Sequence, residues 1–263
     1  MRGLDVSLII PTYNERPNIT PLVAEITQAM AGLHWEALFV DDSTDGTDAE
    51  IARLSLADPR LRLLHRAENH GGLAGAVVDG LSEADGTYVC VIDADLQHPP
   101  AMIPLLLAEA TRETADLVIA SRYLPGGSDG GLAGPLRHMA SCALKYTTRL
   151  IFPRRLAQVT DPLSGFFLLR RSLVDGVTLQ PTGYKILLEL LVRCDWQTVR
   201  ELPYVFQPRA AGNSKADLHQ GLRFLGHLGT LARDCSPVFA LLRSGVRQPN
   251  DEQSRATLTT TGP

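Results

Sequence analysis

Residues Val89 to Pro99 read VCVIDADLQHP, and the reading of the whole chain turns on them. Val89, Cys90, Val91 and Ile92 form an apolar run of the kind buried on both faces of a parallel sheet. The run stops at Asp93-Ala94-Asp95. In a strand, residues i and i+2 point the same way, so Asp93 and Asp95 should leave its carboxyl end side by side. Adjacent carboxylates repel and raise each other's pKa unless a positive group sits between them. The simplest such group is a hard divalent cation, Mg2+ or Mn2+, which prefers oxygen ligands. Gln97 offers an amide oxygen two residues further on. A cation held this way keeps positions open for phosphate oxygens, so the stretch points to a bound diphosphate. An acidic strand-to-helix turn with no metal is the plainer alternative.

Outward from this stretch the chain alternates. Val6 to Ile10 reads as a strand followed by Pro11-Thr12-Tyr13-Asn14-Glu15. Thr20-Pro21 fits an N-cap and first turn for a helix to about Met30. Glu36 to Val40 is a strand ending in Asp41-Asp42-Ser43, and a helix follows to about Ala57. Leu61 to His65 is a strand, Leu73 to Glu83 a small-residue helix, and Thr87 to Ile92 the central strand. A helix from about Pro100 to Glu113 and a strand from Leu117 to Ser121 follow. This pattern predicts an α/β fold with a mostly parallel central sheet and helices on both faces. Ligands of such sheets bind beyond the carboxyl ends of the strands, where Tyr13, Asn14, Glu15, Asp41, Asp42, Asp93 and Asp95 collect. No GxGxxG follows the first strand, which argues against a dinucleotide site.

The second half is less regular. Pro125 to Gly131 is a glycine-rich loop and a lid candidate. Pro135 to about Ile151 reads as helix, Ser164 to Leu169 as strand, Tyr184 to Cys194 as apolar helix, and Val199 to Gln207 as strand. Arg209 to Lys215, RAAGNSK, is a basic loop, and Leu218 to about Arg233 an amphipathic helix. After Arg247 the composition predicts a disordered tail.

The chain of 263 residues is 44% hydrophobic, enough for a full core in one domain. Its net charge of −4 carries no nucleic-acid signal. The 4 cysteines form no CxxC pair and read as reduced thiols. The opening MRGLDVSLIIP enters a strand almost at once, which reads as no signal peptide. The longest charge-free stretch, between Asp95 and Glu109, is too short to span a bilayer.

IIPTYNE, VDDSTDGT, NHGGLAGA, IDADLQHPP, ASRY, DPLSGFFLLRR, GYKILLEL and QPRAAGNSK occur in that order. Together they resemble the inverting family-2 glycosyltransferases, specifically the polyprenol (dolichol) phosphate mannosyltransferase type, over roughly Val6 to Arg233. The resemblance implies a nucleotide-diphospho-sugar transferase (glycosyltransferase A) fold, a GDP-mannose donor, Mg2+ or Mn2+, and a polyprenyl phosphate acceptor in a membrane. The catalytic domain is expected over 1–234, with a membrane-surface or partner-contact segment over 235–247 and a disordered tail over 248–263. Carried over by motif, Pro11, Tyr13 and Glu15 would line the nucleoside pocket, and Asp42 would contact base or ribose. Asp93 and Ala94 would lie along the nucleotide, with Asp95 and Gln97 on the metal. Arg122, Arg137, Ser141, Arg209 and Lys215 would bind the diphosphate and the acceptor phosphate, and Lys185 would reach the same cleft. Asp93, Asp95 and Arg122 are the implied catalytic set.

A phosphate monoester acceptor is already anionic at neutral pH and needs no general base. The tasks left are to bring two anions together and to stabilise a departing diphosphate. A UDP-sugar donor, such as UDP-glucose or a UDP-N-acetylhexosamine, fits the pocket residues equally well. Transfer to a saccharide hydroxyl is disfavoured, because DPLSGFF offers Asp161 alone where such chemistry usually shows an acidic pair. A non-catalytic sugar-nucleotide-binding subunit is a further alternative. His65, His70 and His98 lack metal-ligand spacing and read as structural or solvated. From Arg209 to Arg247 six Lys and Arg face two acids, Asp217 and Asp234, a local charge of +4. With Leu218, Leu222, Leu225, Leu228 and Leu231 near one helical face, the segment Leu218 to Arg247 is expected to dock on the cytoplasmic face of a membrane, directly or beside a small membrane-anchored partner. Packing of the leucines on the domain is the alternative.

Overall fold

The computed structural model of the chain describes residues 3–130, 135–180, 184–209 and 218–235, with backbone alone for 135–142 and 218–223. Its strands are β1 (Val6–Thr12), β2 (Trp35–Asp41), β3 (Leu61–His65), β4 (Tyr88–Val91), β5 (Leu117–Ser121), β6 (Phe167–Arg170) and β7 (Val199–Pro203). They form one 7-stranded sheet in the order β3-β2-β1-β4-β6-β5-β7. The pairs β1–β2, β1–β4, β2–β3 and β5–β7 are parallel. β6 runs antiparallel between β4 and β5, so the sheet is mostly parallel, as its alternating first half predicts.

The helices are α1 (Arg16–Ala29), α2 (Thr47–Ala57), α3 (Gly72–Glu83), α4 (Ile103–Arg112), α5 (Pro135–Ile151), α6 (Pro153–Leu156), α7 (Ile186–Arg193) and α8 (Leu218–Cys235). Strand alternation divides the core between the two faces of the sheet. Leu8 and Ile10 of β1 join Phe39, Ile19, Ile51 and Leu106 on the α1, α2 and α4 side. Ile9 joins Val40, Val77, Leu187 and Leu228 on the α3, α7 and α8 side. A fully buried Leu or Ile contributes about 1.5–3 kcal/mol, so these two layers hold the sheet's edge in place for the site above it. The small residues of α3 let it lie close on β1. A Cβ at Gly80 would sit 2.6 Å from Ile9 Cγ2.

Several boundaries differ from the sequence reading. α1 begins at Arg16, a turn before Thr20, with Pro17 in the first helical positions where a missing N–H costs nothing. β4 ends at Val91, before both aspartates. Pro100–Met102 is a 3-10 turn ahead of α4. In α8, Phe224, Leu228 and Leu231 are buried against the core, and Arg193 of α7 reaches Asp234 of α8 at 3.1 Å. The expected leucine stripe is therefore packed on the domain at Leu228 and Leu231, because it meets the apolar face of α7. Leu225 is 50% exposed. No described helix is long and apolar enough to cross a membrane. The segment 236–263 and Lys215 lie outside the described residues, as do the side chains of Arg137 and Ser141.

Candidate active site at the carboxyl edge of the sheet

β4 delivers the chain into a turn, not a continued strand, and the turn sets the geometry of the acidic pair. Leu96 takes a left-handed backbone with φ 63, unusual for a branched residue and characteristic of over-determined functional turns. It folds the chain back so that the Gln97 N–H donates to Asp95 Oδ1 at 3.0 Å. Gln97 Nε2 donates to the carbonyl of Gln207 at 3.0 Å, which turns its amide oxygen away from that contact. The two carboxylates thus stand near one another with different partners, where strand alternation alone predicts a shared one.

Arg209 is the partner of Asp95. Its Nη2 lies 2.6 Å from Asp95 Oδ2 and 3.4 Å from Gln97 Oε1. Its Nη1 lies 3.4 Å from Glu15 Oε1. Three oxygens from two loops therefore converge on one cationic group. Glu15 is held there by Asn18, whose Nδ2 donates to Oε2 at 2.7 Å, and by its own N–H bonded to Thr47 Oγ1 at 3.1 Å. Burial, and then the charge of Asp93, push the Asp95 carboxyl above its ordinary pKa, with Arg209 opposing. A carboxylate whose ionised form is disfavoured by burial and by a like charge is receptive to a cation.

Asp93 belongs to an adjoining cavity of about 100 Å3, lined among others by His98, Arg122, Gly165, Lys185 and Phe206. Packing around Asp93 works against its ionisation, yet the His98 hydrogen bond at 3.1 Å holds the carboxyl below its ordinary pKa. Lys185 Nζ donates to the carbonyl of Leu163 at 2.8 Å. Desolvation, and then the neighbouring Arg122 charge, bring the Lys185 pKa down to about 8. Arg122 forms a two-point pair with Asp161, Nε to Oδ2 at 2.8 Å and Nη2 to Oδ1 at 2.9 Å. Burial lowers the Arg122 pKa and the Asp161 pair more than restores it, so the guanidinium stays charged. Asp161 is aimed by Glu201 of β7, which accepts from the N–H of Thr160 at 2.7 Å and of Asp161 at 3.0 Å.

At the β1 and β2 ends, Asn14 N–H donates to Ser43 Oγ at 2.8 Å and Thr44 N–H to Asn14 Oδ1 at 2.9 Å, tying the two loops together. Asp42 is gripped by Arg66, which also donates to Asp79 at 3.1 Å and to the carbonyl of Gly72 at 3.1 Å. Tyr13 is 48% exposed, Pro11 pairs with Val40 within the sheet, and Ala94 is buried. The structure thus brings Glu15, Asp95, Gln97 and Arg209 to one point, and Asp93, Arg122 and Lys185 to the next. The sequence reading missed Asp161 as the counter-ion of Arg122, Arg66 as the holder of Asp42, and His98 as the partner of Asp93. The one signal was adjacency, since His98 follows Gln97 directly; the other pairs span 24 and 39 residues.

A mostly parallel sheet that carries acidic turns, Arg209 and a cavity lined by Arg122 and Lys185 at its carboxyl edge suits a ligand that bears phosphates. The chain belongs to the glycosyl transferase family 2, whose pattern it matches over residues 7–178. It is 39% identical to a dolichol-phosphate mannosyltransferase of Pyrococcus furiosus over 231 residues, 88% of this chain and 64% of that protein's length. It is 33% identical to a dolichol-phosphate mannosyltransferase of Saccharomyces cerevisiae, covering 87% of each chain. Among solved structures it is similar to a glucosyl-3-phosphoglycerate synthase from Mycobacterium tuberculosis in complex with UDP. The TM-score is 0.64 at 22% identity, with 88% of this chain and 80% of that one covered, a likeness of fold.

Proposed function

We propose that this chain transfers mannose from GDP-mannose to a polyprenyl phosphate, inverting the sugar's anomeric centre. The observation that carries the proposal is the convergence of Asp95, Gln97 and Glu15 oxygens on one cationic group beside a cavity holding Arg122 and Lys185. The names of the relatives in Pyrococcus furiosus and Saccharomyces cerevisiae support the mannose and the lipid phosphate.

A divalent cation, Mg2+ or Mn2+, fits the oxygens now directed at Arg209, with Asp95 and Gln97 as its holders. Bound there it would act as a Lewis acid on the leaving diphosphate. Among the described residues no three His, Cys, Asp or Glu side chains gather as a ligand set, so phosphate oxygens would complete the coordination. Arg209, once released from Asp95, is free to pair with phosphate by forked hydrogen bonds, and Lys215 follows six residues later in the sequence. Asp93 lies along the bound donor as a hydrogen-bond acceptor, Glu15 and Asp42 border the nucleoside, and Arg122 and Lys185 offset the charge of the incoming lipid phosphate. Arg137 and Ser141 join the same phosphate site. The acceptor's phosphate sits at a bilayer surface, so the enzyme works peripherally on the cytoplasmic face, alone or with a small membrane-anchored partner.

The test is a screen of GDP- and UDP-sugars with a short polyprenyl phosphate and Mn2+ or Mg2+, reading released nucleoside diphosphate and the lipid product. GDP release with a mannosylated lipid, silenced by EDTA and by Asp95→Ala, is expected. Product formation from UDP-sugars alone, or full activity in EDTA, would refute the proposal.

A further inference from the structure

His98 is 2% exposed and fully engaged. Its Nδ1 lies 3.1 Å from Tyr204 Oη, and its Nε2 lies 3.1 Å from Asp93 Oδ2. Its ring is boxed by Phe166, Tyr204 and Phe206, with centroids 5.2, 5.6 and 5.3 Å away, the usual range for aromatic pairs. Gly165 covers the Asp93 hydrogen bond. A Cβ there would stand 3.1 Å from Asp93 Oδ2 and 3.3 Å from His98 Nε2, so a side chain would wedge into the contact. Asp93 feels the charges of Lys185 and Arg209. Among the described residues it pairs with neither, and its Oδ1 accepts no hydrogen bond from them.

We propose that His98 is a positioning residue. Anchored by Tyr204 at one ring nitrogen, it holds Asp93 Oδ2 with the other, and so keeps Oδ1 turned toward the donor sugar. The proposal rests on the transferase reading given above. Without the clamp, Asp93 would swing about its side-chain bonds into an ion pair with Lys185 or Arg209, removing the acceptor and one cation together. An ionised carboxylate only accepts, so the proton of this hydrogen bond resides on Nε2, and Nδ1 takes the Tyr204 contact.

The amide of glutamine reaches the place of Nε2, and that of asparagine the place of Nδ1. His98→Gln should therefore keep the Asp93 contact and lose Tyr204, and His98→Asn the reverse. A displacement of about 1 Å at a reacting group can cost about 100-fold. We expect kcat to fall by about that factor in His98→Asn and by less than about tenfold in His98→Gln, with the donor KM and the melting temperatures of the two variants matched. Equal kcat losses in the two, or a His98→Asn kcat within about twofold of wild type, would overturn the proposal. Should the wild-type chain transfer no sugar with any donor, the transferase reading falls separately. The clamp is then decided by NMR of 15N-histidine-labelled protein. An Nε2–H tautomer for His98 whose proton shifts in Asp93→Asn upholds it, and an Nδ1–H tautomer, or no shift, refutes it.

Discussion

Replacing Asp161 by alanine tests whether the Arg122 pair holds this edge of the sheet. The pair is buried, with side-chain exposures of 8% and 1%. Asp161 satisfies Arg122 at three points, the third being the Arg122 N–H at 3.3 Å to Oδ2. Truncation leaves a guanidinium charged and desolvated with no counter-ion, a loss worth about 3–5 kcal/mol. For a domain of this size each kcal/mol moves the melting temperature by about 2–4 °C, so a fall of about 6–20 °C is expected. Circular dichroism during heating reads it directly. The double replacement Arg122→Met with Asp161→Leu should recover most of the loss, because an apolar pair of similar volume is commonly neutral or better in place of a buried ion pair. A melting temperature for Asp161→Ala within about 2 °C of wild type would refute the reasoning, and would mean that Arg122 finds another partner or water.

Two further outcomes follow from the same geometry. Arg209 occupies the oxygens that would hold a cation, so Arg209→Gln should bind Mn2+ alone about tenfold more tightly, from removal of a positive charge a few ångströms away. The same variant should bind the Mn2+–GDP complex more weakly, and electron paramagnetic resonance of free Mn2+ measures both; unchanged metal affinity would count against a shared site. Lys185 has its folded pKa lowered to about 8 from an ordinary 10.5. Between those values the unfolded chain binds more protons, so stability rises with pH there, and at lower pH the partly desolvated charge is a standing cost. Chemical unfolding at pH 7.5 and pH 10 should show wild type gaining on Lys185→Met, and a constant difference would place Lys185 in water.

Much of the fold was legible from local chemistry. Short apolar runs such as Val6 to Ile10 and Leu117 to Ser121, each followed by turn residues and a helix, read correctly as parallel strands because burial on both faces leaves no polar alternation. The same logic gathered Glu15 and Asp95 at one rim, where the structure has them both against Arg209. Boundaries were less secure. The run through Ile92 looks like strand throughout, yet the strand ends at Val91, the Ile92 N–H makes the last bond to β1 at the Ile9 carbonyl, 3.1 Å away, and a left-handed Leu96 redirects the chain.

The tertiary structure decided the pairings and the occupant of each polar group. Sequence patterning assigns a side chain to a face or an edge, but an ion pair requires a distance, and distances between loops depend on how strands are ordered. β6 inserts antiparallel between β4 and β5, and β7 follows beyond β5. That order carries Asp161, Tyr204 and Arg209 to the rim beside Arg122, His98 and Asp95, partners up to 114 residues away by their numbers. It likewise seats Leu228 and Leu231 on α7, where the sequence alone shows an amphipathic stripe equally suited to a bilayer. An apolar face records that something must cover it, and the covering element is chosen by packing across the whole chain.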